Sequence, residues 1–425
     1  MINKENYLQF KQKYPLDTVA ASLARDKAFD EFLLSGFPSK KDEAWKYTSL
    51  TYLKDVNVKI NLDAPLLNHE DMKWISHQLN SDFVNIVFVN GVFNRTLSDD
   101  VDHFLQILDM TAADFNSDKM PTEIKMIQLS NVMAFHKSYI EINKNNYQKN
   151  ETIQITYFQT EKQSILISPV VKIKIAENVK AKIILNYVSR PEFNQNTSHV
   201  LNSDLHIEIN KNAELEFLQI QNENLNDVHI SRLKFDLNEG SKLVSLDLSL
   251  GSKLSRHYLE TNFNSENATA GIYGVIALAD KQHSDQYTFI NHVKGHNQSI
   301  QKYKSILADQ SNSVFRGRVR IEQDAQKAQS QQLNKSLMLS PLATVNSIPQ
   351  LEIYADDVKA GHGSTVGQLN KDEMFYFLSR GIDQITATKM LAFGFILEMT
   401  SVFQDLALQN KVSEILNEKL NGMMK

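Results

Sequence analysis

Three histidines, His283, His292 and His296, lie close together, and the last two have the His-x3-His spacing that would set both imidazoles on one face of a helix as zinc ligands. Their surroundings argue against a helix. Tyr287, Phe289, Ile290 and Val293 read as strand, and Gly295 follows as a turn. Ordinary polar or strand-face histidines are therefore the better reading. Asp285, Glu322 and Asp324 are carboxylates of the kind that a carbohydrate-cleaving β-helix pairs across its cleft, but acidic residues are too common for these to single out a site. No HExxH, Walker loop, GxGxxG or GxSxG occurs. The run from Asp356 to Gly367 is more informative, because its glycines flank a single histidine, His362, and let the backbone approach a neighbour closely. On spacing alone a hydrogen-bonded structural histidine is favoured there over a metal ligand. The chain has no cysteine, which rules out disulfides, thiol nucleophiles and any cysteine-ligated metal centre made by this chain alone.

The elements that must position these residues fall into three stretches. Residues 1–137 read as mainly helical: Asp17 is expected to cap a run with Val19, Leu23, Phe29, Phe32 and Leu33 at helical spacing, ended by Gly36 and Pro38. Within that region Val89-Asn90-Gly91-Val92 is a hairpin signal, and Pro121 starts a helix running to about Phe135. From 138 to 370 the pattern is β, with Ile153, Ile155 and Phe158, then Val171, Ile173 and Ile175, broken by Asn, Gly and Ser turns. A turn residue followed by a short alternating strand recurs at Asn178, Asn212, Gly240 and Asn267, with spacings of 34, 28 and 27 residues by subtraction. That quasi-period favours coils of a β-solenoid, although a large β-sandwich or barrel fits the alternation about as well. Residues 371–425 return to helical spacing over 372–378 and 385–406, as a cap or docking module.

A chain of 425 residues with 42% hydrophobic content can bury a sizeable core. Its formal charge of -5 gives no basic excess for a phosphate backbone or an anionic membrane, so neither nucleic acid nor membrane is an expected partner. Met1 to Lys13 contains no signal-peptide apolar core, so a cytoplasmic location is expected.

Four segments resemble the SufB and SufD family of iron-sulfur cluster assembly proteins. The first is Lys41-Asp42-Glu43-Ala44-Trp45-Lys46-Tyr47-Thr48, which is similar to the family's N-terminal signature. The second runs from Tyr303 through Val314-Phe315-Arg316-Gly317 and Asp324-Ala325-Gln326-Lys327 to Gln332-Leu333-Asn334-Lys335 and Ser340. The third covers Pro349 to Ile353 and Asp356 to Gly367, and the fourth Phe375-Tyr376-Phe377-Leu378-Ser379-Arg380-Gly381-Ile382.

The resemblance implies a mainly β fold, a right-handed parallel β-helix core flanked by N-terminal and C-terminal helical regions. It also implies a non-catalytic scaffold subunit that pairs with a SufB-like paralogue through the β-helix. The SufC-like ABC ATPase would dock on the C-terminal helices, for which Phe375, Tyr376 and Arg380 are the candidate anchors. His362 matches the SufD histidine that faces a SufB cysteine where a nascent cluster forms, as an iron or cluster ligand. This sequence departs from many SufD members at Ala360, where they have cysteine. At Asn334, where SufB members place their essential cysteine, it agrees with the SufD members. No cofactor is expected to bind stably to this chain alone; a transient iron-sulfur cluster at the SufB interface, a reduced flavin in the complex and a homodimer in isolation are all compatible with the resemblance. The competing reading is a secreted β-helix polysaccharide lyase or hydrolase, which calls for export and a cleft of paired carboxylates.

Overall fold

The recurring turn residues set the architecture. In the computed structural model, which describes residues 3–16, 18–54, 56–60, 67–115, 121–147, 151–191 and 197–424, Asn178, Asn212, Gly240 and Asn267 all have φ between 56° and 65°. Asparagine and glycine tolerate this left-handed conformation best. His296 and Lys327 continue the series at 60° each. The turns stack: Asn178 N–H donates to Lys211 O, Asn212 N–H to Glu239 O, Gly240 N–H to Glu266 O and His296 N–H to Gln326 O, at 2.9–3.1 Å.

Each stacked turn separates a strand of one sheet from a strand of the other. The first sheet contains Val170–Ile175, Val200–Ile209, Val228–Leu237, Leu254–Phe263, His283–His292, Asn312–Ile321 and Thr344–Ile353. The second contains Ile153–Gln159, Lys180–Ser189, Glu214–Asn222, Lys242–Ser249, Thr269–Leu278, Gln298–Leu307, Gln329–Met338 and Lys359–Gln368. Successive strands alternate between the sheets, and neighbours within each run parallel, which is a parallel β-solenoid of two strands per coil and not a sandwich. The register Val200↔Val228↔Leu254↔His283↔Asn312↔Thr344 gives coils of 28, 26, 29, 29 and 32 residues by subtraction.

Helices flank this core. They are α1 (Lys4–Lys13), α2 (Val19–Ser35), α3 (His69–Gln78), α4 (Lys125–Met133), α5 (Lys371–Ser379), α6 (Gln384–Ile396) and α7 (Leu406–Met423). The cap expected at Asp17 lies outside the described residues; the Thr18 side chain accepts from Ala21 N–H at the start of α2. The buried face of α2 is Ala21, Arg25, Ala28, Phe29 and Phe32, while Val19 and Leu23 are exposed. That face, α4 and Trp45 cover the outside of the first sheet at Val200, Val228, Ile230, Leu254 and Tyr287. Helices α6 and α7 cover the outside of the second sheet at Leu218, Leu246, Leu248, Val275 and Ile306. The N-terminal region also contributes strands. Val84–Val89 pairs in parallel with Ile153–Gln159, and its hairpin to Val92–Phe93 turns through Asn90 at φ 51° and Gly91 at 86°, as a type I′ turn requires.

The solenoid ends unevenly. At the N-terminal end its outermost strands are Leu105–Leu108 and two of two residues each, Lys59–Ile60 and Val92–Phe93. At the C-terminal end they are Thr344–Ile353 and Lys359–Gln368, ten residues each, and among the described residues each is paired on one side only. The glycine-rich run around His362 is therefore mostly strand. Gly361, Gly363 and Gly367 are extended, and a Cβ at Gly361 or Gly367 would meet nothing. Among the described residues no helix is long and apolar enough to cross a membrane.

Between the sheets one half of the interior is apolar and the other is not. Glu223 and His229 are fully buried, with His229 Nδ1 3.0 Å from the carboxylate. The His229 ring stacks on His257 at 4.9 Å, and Gln219 Nε2 donates to His257 Nδ1 (2.9 Å) and to Asp247 (3.1 Å). Burial pushes the Asp227 and Asp247 carboxyls up to about 7 and the His292 imidazole down to about 4. His292 stacks on Phe263 and reaches Ser299 Oγ at 2.9 Å. It stays neutral in the fold where an unfolded histidine protonates near 6.5, so acidification from about 6.5 to 4 favours unfolding by up to about 3 kcal/mol. The two aspartates act oppositely, since each is protonated in the fold and ionised unfolded; their stabilisation is present at low pH and lost between about 4 and 7. A His292→Leu variant should thus lose less stability than wild type between pH 6.5 and 4 in urea titrations, and equal slopes would contradict the assignment.

Candidate functional site

The open end of the solenoid places the residues that its sequence singled out. Val358 and Ala360 pack against the interior core, so alternation along Lys359–Gln368 turns His362 and Ser364 to the same inward face. The cross-strand register agrees: His362 is the in-register partner of Gln332, which is the partner of Gln301. Gln301 and Gln332 are buried, whereas His362, on the last rung, is exposed at the mouth. Beside this row, Asn334 Nδ2 donates to Ser347 Oγ at 2.8 Å, and Ser347 Oγ lies 2.9 Å from Ser364 Oγ. The mouth thus presents an imidazole, an amide and two hydroxyls, framed by two strands whose outer backbone edges have no partner. Ten-residue unpaired edges are a template for another strand. Among the described residues no group of three or more His, Asp or Glu is arranged to hold a metal ion.

Two residues beyond the last strand the chain enters α5. The Asn370 side chain caps it, accepting from Asp372 and Glu373 N–H. None of its residues is buried: Phe375 is 72% and Tyr376 57% exposed, with Leu378 also exposed. Arg380 stacks over Tyr376 at 5.3 Å. A cavity of about 710 Å³ opens between α5, α6 and the last coil, lined by Leu337, Leu369, Tyr376, Phe377, Met390 and Phe395. The three predicted anchors are all exposed, on the ridge formed by α5 and its C-cap residue.

The N-terminal signature has a different part. Trp45 is buried, donates from Nε1 to Thr122 O (2.6 Å), and carries the Arg256 guanidinium 3.7 Å above its ring. Arg256 pairs with Asp285, which also accepts from the Thr48 hydroxyl. Since that hydroxyl gives its one proton to Asp285, it must accept from His283 Nε2 at 2.8 Å, which fixes the protonated nitrogen of His283. Arg316 Nη2 adds a bond to Glu43 O at 3.0 Å. The motif is a clamp that holds the N-terminal unit on the first sheet.

The remaining sequence candidates scatter. His283 is on the outer face under this clamp, His292 is in the interior and His296 is a corner residue, so the three do not converge. Asp285 is buried against Arg256, Glu322 pairs with Arg320 at 2.8 Å, and Asp324 is exposed, so these carboxylates form no cleft. Sequence reasoning passed over Gln332, Ser347 and Ser364; only their register beside His362 marks them.

A parallel β-solenoid with helical regions at both ends, an open C-terminal coil and a lone histidine in its mouth is a recognisable class. The SufBD core domain of SUF-system iron-sulfur cluster assembly matches residues 157–395, and the SufBD N-terminal region matches 16–160. The chain belongs to the SufBD family of iron-sulfur cluster assembly proteins. It is 28% identical to the iron-sulfur cluster assembly protein SufD of Escherichia coli, over 99% of this chain and 98% of that protein. An iron-sulfur cluster assembly SufBD family protein of Synechocystis is 26% identical over 89% and 87%, and the chloroplastic protein ABCI7 of Arabidopsis thaliana 26% over 93% and 86%.

Proposed function

We propose that this chain is the non-catalytic, cytoplasmic scaffold subunit of a SufB, SufC and SufD type assembly complex. The observation that carries the reading is the open solenoid end, with His362 in its mouth between two unpaired ten-residue edges. A SufB-like paralogue extends the sheets from that end, and His362 supplies one imidazole nitrogen to a cluster whose thiolates come from the partner. Neutral imidazole is a competent iron ligand. With no cysteine in the chain, nothing here could hold the cluster alone. In isolation the same end can accept a second copy.

His362→Ala should leave folding and pairing intact, because an exposed side chain contributes within about 0.5 kcal/mol. Iron and sulfide content of the reconstituted complex should fall, and normal content would defeat the ligand role.

The α5 ridge docks a SufC-like ABC ATPase in this reading. Phe375→Ala and Tyr376→Ala are each expected to weaken that binding by about 2 kcal/mol, roughly thirtyfold, as aromatic anchors do. Calorimetry of the ATPase against each variant tests it; unchanged affinity would remove α5 from the interface.

A further inference from the structure

We infer that Gln332 is a positioning residue for His362, its unused amide oxygen being the acceptor towards which one ring nitrogen turns, which fixes the nitrogen presented at the mouth of the solenoid. The inference rests on the reading of His362 as a ligand, and its observations are separate from that reading. Gln301, Gln332 and His362 occupy one inward-facing row on three successive strands, about 4.8 Å apart. Gln332 Nε2 is committed to the rung behind it, donating to Gln301 Oε1 at 2.6 Å. The oxygen of the same amide is left out of that bond: Oε1 is buried and, among the described residues, accepts no hydrogen bond in this structure, while His362 is the in-register neighbour on the rung ahead. The opposite wall leaves room for this arrangement, because a Cβ at Gly317 would collide with the Gln332 amide nitrogen.

A buried amide oxygen without a partner carries a desolvation penalty, and an imidazole N–H one rung away relieves it. Donation from one ring nitrogen leaves the lone pair of the other free, on the side away from Gln332 and towards the open end. This is how outer hydrogen bonds set the tautomer and orientation of histidine ligands generally. Asn334 also has a buried amide oxygen without a partner among the described residues, but it stands in register with Ser364 and not with His362.

The test uses the full-length isolated chain with ¹⁵N-labelled histidine, the His362 signals being assigned by their loss in His362→Asn. In wild type the neutral ring should be held in one tautomer. Gln332→Leu should shift the tautomer ratio by about fivefold, the equilibrium weight of one net hydrogen bond. Gln332→Glu, which keeps an acceptor oxygen at the same place, should keep the wild-type tautomer. A purely structural Gln332 would lower the melting temperature of the leucine variant and leave its tautomer ratio at the wild-type value, and that result overturns the inference. Failure of the underlying ligand role is read separately, from normal cluster content in His362→Ala.

Discussion

Trp45→Ala is expected to release the N-terminal unit from the first sheet, at a cost of about 3–5 kcal/mol for emptying a buried indole site. The loss exceeds the ring's own packing. Without the indole face, the Arg256 guanidinium loses its cation–π partner and water gains access to a pair with Asp285 that is buried in the native fold. Thr48 then loses the geometry in which its hydroxyl donates to Asp285 and accepts from His283. Hydrogen exchange should speed up over residues 18–54 while the solenoid strands stay protected, and limited proteolysis should cut that region first. Unchanged protection there would mean that α2 and α4 dock the unit unaided. Arg256→Met with Asp285→Leu should recover much of the stability, since an apolar pair of similar volume avoids the desolvation of two charges.

His229→Leu should be nearly as damaging, by about 3–5 kcal/mol, because it strands a carboxylate inside the solenoid. Burial alone would raise the Glu223 carboxyl; the His229 charge and the bonds from His229, Gln221 and Ser252 outweigh it and hold the group below its usual range. Removing the imidazole takes away the largest of these compensations. The deficit should therefore shrink on acidification, as the carboxyl takes up a proton rather than remaining a buried anion. Urea midpoints at pH 8 and pH 5 read both effects, and a midpoint unmoved at pH 8 would show that the hydrogen bonds suffice without the imidazole.

What the sequence disclosed follows from how local each cause is. The turns at Asn178, Asn212, Gly240 and Asn267 were legible because a left-handed residue restricts its own type, and their spacing is the coil length. His296 and Lys327 fill the same corner without advertising it. Lys359–Gln368 carried no legible strand pattern because such patterning arises from having one buried face, and on the last coil both faces are largely open, so glycines are tolerated where alternation would otherwise be enforced. The interior cluster of Gln219, Asp247 and His257 defeats a hydrophobic template outright, since those polar residues sit at inward positions and Gln219 bonds both of the others, Asp247 on the next coil and His257 across the interior. Trp45 and Thr48 were visible as a signature, but their partner His283 is 235 residues from Thr48 and only the docked fold brings them together. For His362 the chain itself showed an unusual histidine; that it closes a row of glutamines depended on strand register, which no single sequence states.

The difference between the two ends of the solenoid also fixes its valence. A rod with equal, long edges at both ends would add copies head to tail and grow into a fibre, the fate of heterologous contacts that never close. Here the N-terminal termini of the sheets are strands of two and four residues, the first closing a tight hairpin, and short edges of that kind recruit poorly. Among the described residues only the C-terminal end offers long unpaired edges, so under the proposed edge pairing the first partner to occupy it would end the additions. Assembly through this surface would then stop at two.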